Sequence, residues 1–595
     1  MPTPSVSPCI EALESRLAPA GVVALTLSGN TLSVSGDPGD NSVDIRDNLD
    51  GTWTVKDLTD SGTQFLFQGV QQSVVTLREA THIKANLQGG NDSLSFTSLR
   101  SSGSITVTDT AAGNDTVNFS DVFIGGAVKL DLGAGDDQFK FQNVNFASLL
   151  SVKGGAGNDV FESSTGWFQG INADFGSGGG KFILGGSTVF VFGSVNVTSQ
   201  SVADETMETH FSGDSLRING SVTLKTGHGR SLLLINTTSS QNFQTLGNFT
   251  LTSGSAADSI YLAGSISIFG KMDIKAGNGD NLLATGQGPI SGSLSALTLG
   301  SFSYTGGTGN ETVVFGSGEV DIHRDVIFTA GNSGPDSSDS LAFDSARLSI
   351  GGKLTYKGNN AADSLALSST VIQITGAISF TGANGTNSMD VTGDFTTLGA
   401  LAYAGGTGHD SFYLIANGGP ISILGNVTAS LGTGDSDVFL RDTSIIGHLS
   451  ITSATQQSTL DGTFELLKIV DSSILGRTTV KSIGTVDGEV LIHNSTFKGA
   501  LTLDTGKGND RIYLDTPTID QGNTEAKNRF LSDVRIILGA GNDTLDLTPG
   551  ASPTHQGNLF QASLLVDGGT GTNTALALTD PANVYSIPAI LKNIG

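Results

Sequence analysis

Acidic residues recur in this chain directly after short glycine-rich stretches, and carboxylates held in such turns could bind a hard cation. The clearest stretch is GGAGNDVFE at 154–162, in which Asp159 follows three glycines and precedes an apolar segment. Glycine permits tight turns and leaves carbonyl oxygens accessible, and carboxylate and carbonyl oxygens are the ligands that Ca²⁺ prefers. The candidate metal ligands are the equivalent acidic residues, namely Asp92, Asp115, Asp137, Asp159, Asp410, Asp437, Asp510 and Asp543.

These stretches resemble the calcium-binding nonapeptide of repeats-in-toxin proteins, G-G-x-G-x-D-x-U-x, where U is a large apolar residue. The segments 154–162 and 405–413 match every fixed position, whereas 306–314 has Glu311 in place of the aspartate. In that family the ligands come from turns stacked in neighbouring coils of tandem nonapeptides. Here one copy occurs per 22 or more residues. The resemblance implies calcium at some of these turns.

The spacing of the acidic residues reveals a repeat that covers most of the chain. Steps of 23, 22 and 22 residues separate the first four aspartates, and the average step is about 25 residues. Apolar residues follow at the second and fourth positions after each aspartate, as Phe139 and Phe141 do. This period of two is typical of a strand with one buried face. Two more alternating segments follow in each repeat, separated by glycine-rich corners.

A repeat of this length with three short strands is typical of one coil of a parallel β-helix. The sequence therefore predicts an all-β fold, a right-handed parallel β-helix (β-solenoid) of about 20 coils at 87–573. The Asp-Gly pair at 50–51 lies between alternating strands and indicates an antiparallel N-terminal cap at 21–86. We interpret 1–20 as a targeting or disordered segment and 574–595 as a C-terminal cap.

Stacked coils would place the first four aspartates about 4.8 Å apart on one edge. Like charges at that distance repel by roughly 1 to 3 kcal/mol per neighbour, so some interaction has to offset the repulsion. A calcium ion between coils, outward splaying, or hydrogen bonds from Asn114, Asn158 and the turn amides would each do so. Because Asn387 and Asn573 replace the aspartate elsewhere, we expect any calcium to be confined to some coils.

The overall charge excludes several classes of partner. The chain has 30 Lys and Arg against 56 Asp and Glu, a formal net charge of −26, which argues against nucleic acid and anionic membranes. Its single cysteine, Cys9, cannot form an internal disulfide. The uncharged segment 182–197 is interrupted by Gly, Ser, Thr and Asn, so we expect no transmembrane segment.

Parallel β-helices include polysaccharide lyases and hydrolases, so catalytic groups have to be considered. The Gly-His-Gly at 227–229 resembles that of pectin-degrading hydrolases, but the nearest Asp pair, at 136–137, is about 90 residues upstream and no Arg-Ile-Lys occurs. Trp53 and Trp167 are the only tryptophans, and the sequence shows no aromatic platform for a sugar. We therefore expect no enzyme. The alternative, a carbohydrate-active β-helix, would need Asp residues and a base facing one groove over adjacent coils.

The N-terminal segment IEALESRLAPA at 10–20 resembles the LEPR-type motif of large bacterial exported and surface proteins. The Leu-Glu at 13–14 and the Arg-Leu at 16–17 match that motif, and Ser15 replaces its proline. A short amphipathic helix is the other interpretation of this segment. The resemblance implies a secreted or cell-surface bacterial protein. We expect a structural or adhesive role, with cell-envelope components, glycans or other surface proteins as partners.

Overall fold

The fold consists of strands stacked in parallel coils. The computed structural model describes residues 21–202, 204–237, 242–286, 289, 292–397, 399–434, 436–454, 467–482, 487–514, 527–548 and 557–594. The described residues contain no helix, and they form a β-solenoid of about 19 turns. The predicted all-β parallel solenoid is therefore confirmed. The N-terminal segment at 1–20 lies outside the described residues.

The chain forms two compact units, 1–200 and 201–595. The strands of the first unit are β1 (Val22–Ser28), β2 (Thr31–Ser35), β3 (Ser42–Asp47), β4 (Thr52–Lys56), β5 (Gln64–Phe67), β6 (Val70–Gln72), β7 (Val74–Arg78), β8 (His82–Asn86), β9 (Ser93–Thr97), β10 (Arg100–Ser101), β11 (Ile105–Thr108), β12 (Thr116–Ile124), β13 (Val128–Asp131), β14 (Gln138–Phe146), β15 (Leu150–Lys153), β16 (Asp159–Phe168), β17 (Ile171–Asp174), β18 (Gly180–Val191) and β19 (Val195–Thr198).

The first unit begins with antiparallel hairpins and continues as parallel coils. Strand β1 pairs antiparallel with β2, β3 with β4, and β5 with β6, whereas β2 pairs parallel with β8 and β3 with β9. From there the pairing is parallel, through β9, β12, β14, β16 and β18 and through β8, β11, β13, β15, β17 and β19. The first parallel coil thus pairs directly with strands of the antiparallel hairpins.

The strands of the second unit, in chain order, begin with β20 (Thr206–Gly213), β21 (Leu216–Ile218), β22 (Val222–Lys225), β23 (Arg230–Thr237), β24 (Asn242–Thr245), β25 (Phe249–Thr252), β26 (Ser259–Lys275), β27 (Asn281–Thr285), β28 (Leu294–Thr305), β29 (Glu311–Gly316), β30 (Glu319–Ile322), β31 (Val326–Thr329), β32 (Ser338–Asp344), β33 (Arg347–Ile350), β34 (Leu354–Lys357), β35 (Ala362–Leu367), β36 (Val371–Ile374), β37 (Ile378–Thr381), β38 (Asn387–Thr392), β39 (Asp394–Thr397) and β40 (Leu401–Ala404).

They continue with β41 (Asp410–Ile415), β42 (Ile421–Ile423), β43 (Val427–Leu431), β44 (Ser436–Arg441), β45 (Thr443–Ile445), β46 (Leu449–Ser453), β47 (Leu467–Val470), β48 (Ser473–Ile474), β49 (Thr478–Ser482), β50 (Glu489–His493), β51 (Thr496–Phe497), β52 (Leu501–Asp504), β53 (Arg511–Leu514), β54 (Arg529–Phe530), β55 (Val534–Ile537), β56 (Thr544–Asp546), β57 (Leu559–Phe560), β58 (Leu564–Asp567), β59 (Thr574–Leu576), β60 (Val584–Tyr585) and β61 (Ile590–Lys592).

From β29 onward, each coil of the second unit has three strands. Each strand pairs with the strand three positions later in the chain. Thus β32 pairs with β35, β33 with β36 and β34 with β37, all parallel. The same pairing reaches β59, β60 and β61. The segment 574–594, which belongs to the predicted C-terminal cap at 574–595, thus contributes three strands that pair parallel with the preceding coil.

Aromatic rings fill much of the interior, at the positions that the alternating pattern predicts. In the first unit Phe96, Phe119 and Phe141 are at most 1% exposed, and their rings follow one another at centroid distances of 4.6 and 5.5 Å. In the second unit Tyr356 stacks on Phe380 at 4.8 Å. Such offset stacks add about 0.5 to 1.5 kcal/mol per pair beyond the burial of apolar area.

The glycine-rich corners are tight because turns of neighbouring coils lie directly on one another. Gly155 and Gly157 have φ angles of 107° and 135°, in the region that favours glycine. A Cβ atom on Gly155 would lie 1.6 Å from the carbonyl oxygen of Gly133 in the preceding coil. These glycines are therefore required by the coil-to-coil distance as well as by the turn.

Candidate functional site

The aspartates of the glycine-rich turns form a ladder that lies inside the solenoid. Asp92, Asp115, Asp137 and Asp159 occupy successive coils, and each side chain is at most 1% exposed. The backbone amide of Asp92 donates to Oδ1 of Asp115 at 2.8 Å. The amide of Asp115 donates to Oδ1 of Asp137 at 2.8 Å, and that of Asp137 to Oδ1 of Asp159 at 3.0 Å. We call this column the inner ladder.

A second column, the outer ladder, is formed by the residue that precedes each aspartate. The amide of Asn114 donates to Oδ1 of Asn91 at 2.9 Å, and the amide of Asp136 to Oδ1 of Asn114 at 2.8 Å. Here each amide binds the preceding coil, whereas an amide of the inner ladder binds the following coil. The recurring Asn-Asp pair therefore ties each coil to both of its neighbours.

The inner ladder recurs in the second unit with several residue types. Asp363 pairs in register with Asn387, and Asn387 with Asp410. Amides of this column also donate to side chains of the next coil, as Asp510 does to Oδ1 of Asp543 at 2.9 Å and Asp543 to Oδ1 of Asn573 at 3.0 Å. Seven of the eight predicted metal ligands thus lie in the inner ladder: Asp92, Asp115, Asp137, Asp159, Asp410, Asp510 and Asp543.

The eighth predicted ligand, Asp437, lies outside the ladder, one residue beyond the ladder position. Asp410 pairs with Ser436, and Asp437 pairs with Ser411. The side chain of Asp437 is 39% exposed, with Oδ2 at 3.8 Å from Nε2 of His409. The physical reason is that Gly434 stacks on Gly408, so the second residue after it enters the ladder position.

The ladder carboxylates fall into two classes according to whether Oδ2 accepts a hydrogen bond. In the first class that oxygen is hydrogen-bonded. Oδ2 of Asp410 accepts from the amides of Gly406 and Gly432, each at 3.1 Å, and Oδ2 of Asp363 accepts from the amide of Asn359 at 3.1 Å. In the second class Oδ2 is buried without a hydrogen-bond partner among the described residues, and this class contains Asp92, Asp115, Asp137, Asp159, Asp258, Asp510 and Asp543.

Burial raises the pKa of the first-unit ladder carboxyls, because removal from water penalises the charged form. The pKa of Asp92 rises to about 8, those of Asp115 and Asp137 to about 7, and that of Asp159 to about 6. The hydrogen bond from the neighbouring amide acts in the opposite direction in each case but is smaller. Near neutral pH Asp92 therefore holds a proton and Asp115 and Asp137 are partly protonated, unless a cation compensates their charge.

A third carboxylate joins the ladder at one point. Asp109 follows β11 and occupies the inward position that Leu87 and Leu132 occupy in the neighbouring coils, since Asn86, Thr108 and Asp131 pair in register. Its side chain is 3% exposed; Oδ1 accepts from the amide of Ala111 at 3.0 Å, and Oδ2 has no partner among the described residues.

One carboxylate oxygen each from Asp92, Asp109 and Asp115 lies within 4.8 Å of the other two. Three ligands that surround an ion at about 2.4 Å are at most about 4.8 Å apart, so this spacing fits Ca²⁺. Sequence analysis missed Asp109. The signal was an aspartate at the apolar position of the alternating segment ITVTD.

Two histidines lie next to hydroxyl groups. Nε2 of His409 lies 3.3 Å from Oγ of Ser411 and 3.8 Å from Oδ2 of Asp437. In a catalytic triad the acid and the hydroxyl bind different ring nitrogens, so this arrangement does not correspond to one. His228, in the Gly-His-Gly at 227–229, lies with Nδ1 at 3.3 Å from Oγ of Ser255 in the next coil.

Comparison with family models, with curated proteins and with solved structures found no match. Across the described part of the chain, no helix has the length and apolar character needed to cross a membrane. The fold and the geometry above are therefore the basis for assigning a role.

Proposed function

We propose that this chain is a non-enzymatic β-solenoid with a structural or adhesive role, secreted or exposed at a bacterial cell surface. The observation that carries the proposal is that the repeated polar residues bind neighbouring coils through the inner and outer ladders. The aspartates and asparagines that are candidate metal ligands by residue type thus hold neighbouring coils together. The location rests on the N-terminal LEPR-type resemblance, and the expected partners are cell-envelope components, glycans or other surface proteins.

The geometry favours this role over a carbohydrate-active β-helix. Such an enzyme needs acids and a base on an open groove, where they can reach a glycosidic bond. Within the described ranges, the cluster of three carboxylates at Asp92, Asp109 and Asp115 faces the interior, with exposures of 1 to 3%. A polysaccharide cannot contact buried groups of this kind.

The role is tested by measuring turnover and attachment on the same protein. We expect the purified chain to release no new reducing ends and no unsaturated products from a panel of plant and bacterial polysaccharides. We expect the fluorescently labelled chain to remain attached to bacterial cells after washing. Product formation would overturn the non-enzymatic assignment, and loss of the label at the first wash would overturn the adhesive one.

We further propose that Ca²⁺ binds between Asp92, Asp109 and Asp115. The three residues contribute oxygens from two successive ladder positions and from the strand end between them, and the Oδ2 atom of each is buried without a partner among the described residues. A divalent ion there would neutralise most of the charge that burial disfavours. Asp410, whose two oxygens both accept hydrogen bonds, has no comparable need for an ion.

Replacing Asp109 tests calcium binding while the hydrogen bonds of the inner ladder stay in place. Leucine occupies the same position in both neighbouring coils, so we expect Asp109→Leu to fold. The wild-type melting temperature should rise when millimolar calcium replaces EDTA, because a ligand bound only by the native state stabilises it. Asp109→Leu should show no rise, and Asp131→Asn, a half-exposed control, should behave as wild type. An unchanged wild-type melting temperature would show that the native state does not bind calcium.

A further inference from the structure

A row of outward-facing side chains crosses successive coils of the first unit. Arg100 pairs in register with Phe123, Phe123 with Asn145, and Asn145 with Trp167. Phe123 is 43% exposed and Trp167 is 53% exposed. Two aromatic rings are thus presented to solvent, two coils apart, with an amide side chain between them.

Beside this row lies an open groove of about 590 Å³, lined by Arg100, Asp121, Phe123, Asn143, Asn145 and Trp167 together with two valines. Asp121 and Asn143 stand at equivalent bends of β12 and β14, where φ is 59° and 51°. Nδ2 of Asn143 donates to Oδ1 of Asp121 at 2.7 Å. The groove therefore combines exposed aromatic rings with carboxylate, amide and guanidinium groups on a rigid parallel sheet.

We propose that this groove binds a neutral linear glycan, an inference that rests on the adhesive role proposed above. The C–H face of a pyranose ring stacks on aromatic rings, and its hydroxyls pair with carboxylate and amide groups. Phe123 and Trp167, two coils apart, are separated by about 10 Å, roughly the length of a disaccharide in an extended chain. Asn145 lies between the two rings, at a position suited to the hydroxyls of the sugar units that bridge them.

The charges of the groove favour a neutral ligand. Arg100 and Asp121 contribute one charge of each sign, so the lining has no excess charge. The whole chain carries a net charge of −26, which opposes the approach of a polyanionic glycan. Four of the eight lining residues are polar or charged, in contrast to the apolar centre of a typical protein interface. These features favour a glycan over a protein partner.

The aromatic surface continues beyond Trp167. The Trp167 ring lies 6.5 Å from the Phe190 ring and 6.4 Å from the Phe192 ring, and Phe192 is 47% exposed. Phe190 pairs in register with Trp167 in the next coil. The row therefore offers contacts to several consecutive sugar units, which favours a polymer over a single sugar.

Trp167 itself reports binding. Trp53 is fully buried, so a Trp53→Phe variant leaves one exposed tryptophan in the groove. The probes are cellohexaose, xylohexaose, maltohexaose and hexa-N-acetylchitohexaose, with hexagalacturonate as the acidic comparison. At least one neutral probe should shift the Trp167 emission to shorter wavelength, saturably and below 10 mM, whereas hexagalacturonate should not. No shift with any neutral probe, or a stronger response to hexagalacturonate, would overturn the inference.

Retention on insoluble polysaccharide tests the same site without removing Trp53. The wild-type chain should be retained on cellulose, xylan, insoluble starch or chitin, and Trp167→Ala should reduce the retained fraction at least tenfold. Phe269→Ala, which removes a ring that is 44% exposed in the second unit, serves as the control and should bind as wild type. Equal retention of Trp167→Ala would refute the groove assignment. If Trp167→Ala is retained on polysaccharide as the wild type is and the labelled variant still attaches to cells, the adhesive role stands while this inference fails.

Discussion

The amide of Asp115 donates to Oδ1 of Asp137 in the following coil, while Oδ2 of Asp137 remains buried without a partner among the described residues. Oδ1 of Asp137 thus contributes to pairing between coils. Oδ2 is buried without a partner in the described part of the chain, so a proton or a cation is needed to offset the cost of its burial. The ladder is therefore a structural element whose stability depends on the composition of the solvent.

The stability of the chain in EDTA should fall as the pH rises from 5 to 9. The folded pKa values of Asp92, Asp115, Asp137 and Asp159 are raised to between about 6 and 8, whereas the unfolded carboxyl titrates near 4. In this window the folded state binds more protons than the unfolded state, so stability is lost as pH rises through the folded pKa values. Melting curves at several pH values measure the slope, and a melting temperature that rises over this range would contradict it.

Asparagine should replace aspartate in the inner ladder at little cost. Asn281, Asn387 and Asn573 occupy this position naturally, and the amide oxygens of Asn281 and Asn573 accept the N–H groups of Asp258 and Asp543. In EDTA at pH 8, Asp137→Asn should match or exceed the wild-type melting temperature. Asp137→Ala removes the acceptor for Asp115 and should cost about 1 to 3 kcal/mol locally. Hydrogen exchange of the Asp115 amide checks the assignment, and equal protection in the alanine variant would speak against it.

The first glycine of GGAGNDVFE should be required by the carboxylate rather than by the turn. A Cβ atom on Gly154 would lie 1.9 Å from Oδ2 of Asp159, a contact that forces the ladder side chain to move. We expect Gly154→Ala to lower the melting temperature clearly. Gly334→Ala is the matched control, since no atom lies within 4 Å of its added Cβ. Because Asp159→Ala itself removes the acceptor for the Asp137 amide, the double variant Gly154→Ala/Asp159→Ala should lose less stability than the sum of the two single changes. Additive losses would show that the clash is not the cause.

In the second unit, Tyr304→Phe should expose the dependence of Glu311 on its donor. The Tyr304 hydroxyl donates to Oε2 of Glu311, and both side chains are buried. Removing it leaves a buried oxygen unsatisfied, at a cost of about 1 to 3 kcal/mol. Burial raises the pKa of Glu311 to about 7, and the loss of this donor should raise it further. Melting at pH 6 and 8 detects both effects. Tyr513→Phe, at a half-buried position, is the control and should show neither.

The coil, its three strands and the buried phenylalanines could be predicted from the sequence. They follow from the repeat length and from the two-residue alternation of apolar and polar residues. Phe139 and Phe141 alternate with polar residues, and that pattern fixes which face is buried. The position of the turns was also predictable from the glycines. The direction in which the aspartates point was not, because a turn residue has no alternating neighbours to set its face. Only the paired coils show that Asn114 lies outside and Asp115 inside.

Residues brought together by stacking were the hardest to foresee. Asp109 meets Asp92 and Asp115 through register between coils, and nothing in its own segment indicates that contact. The exposed aromatic row was missed for the same reason, since Phe123 and Trp167 are 44 residues apart in sequence but two coils apart in the fold. The misplacement of Asp437 by one position shows how a single-residue shift at a corner exchanges inside and outside.

The opposed directions of the two ladders bear on how such a chain could change during evolution. The turns at Asp92, Asp115 and Asp137 in the first unit present the same donors and acceptors to their neighbouring coils. Deleting the 22 residues from Asp115 to Asp136 would join Asn114 to Asp137 and recreate the same dipeptide at the junction. Gene segments that encode whole coils of this part of the first unit can thus be added or removed without a new kind of contact between the turns.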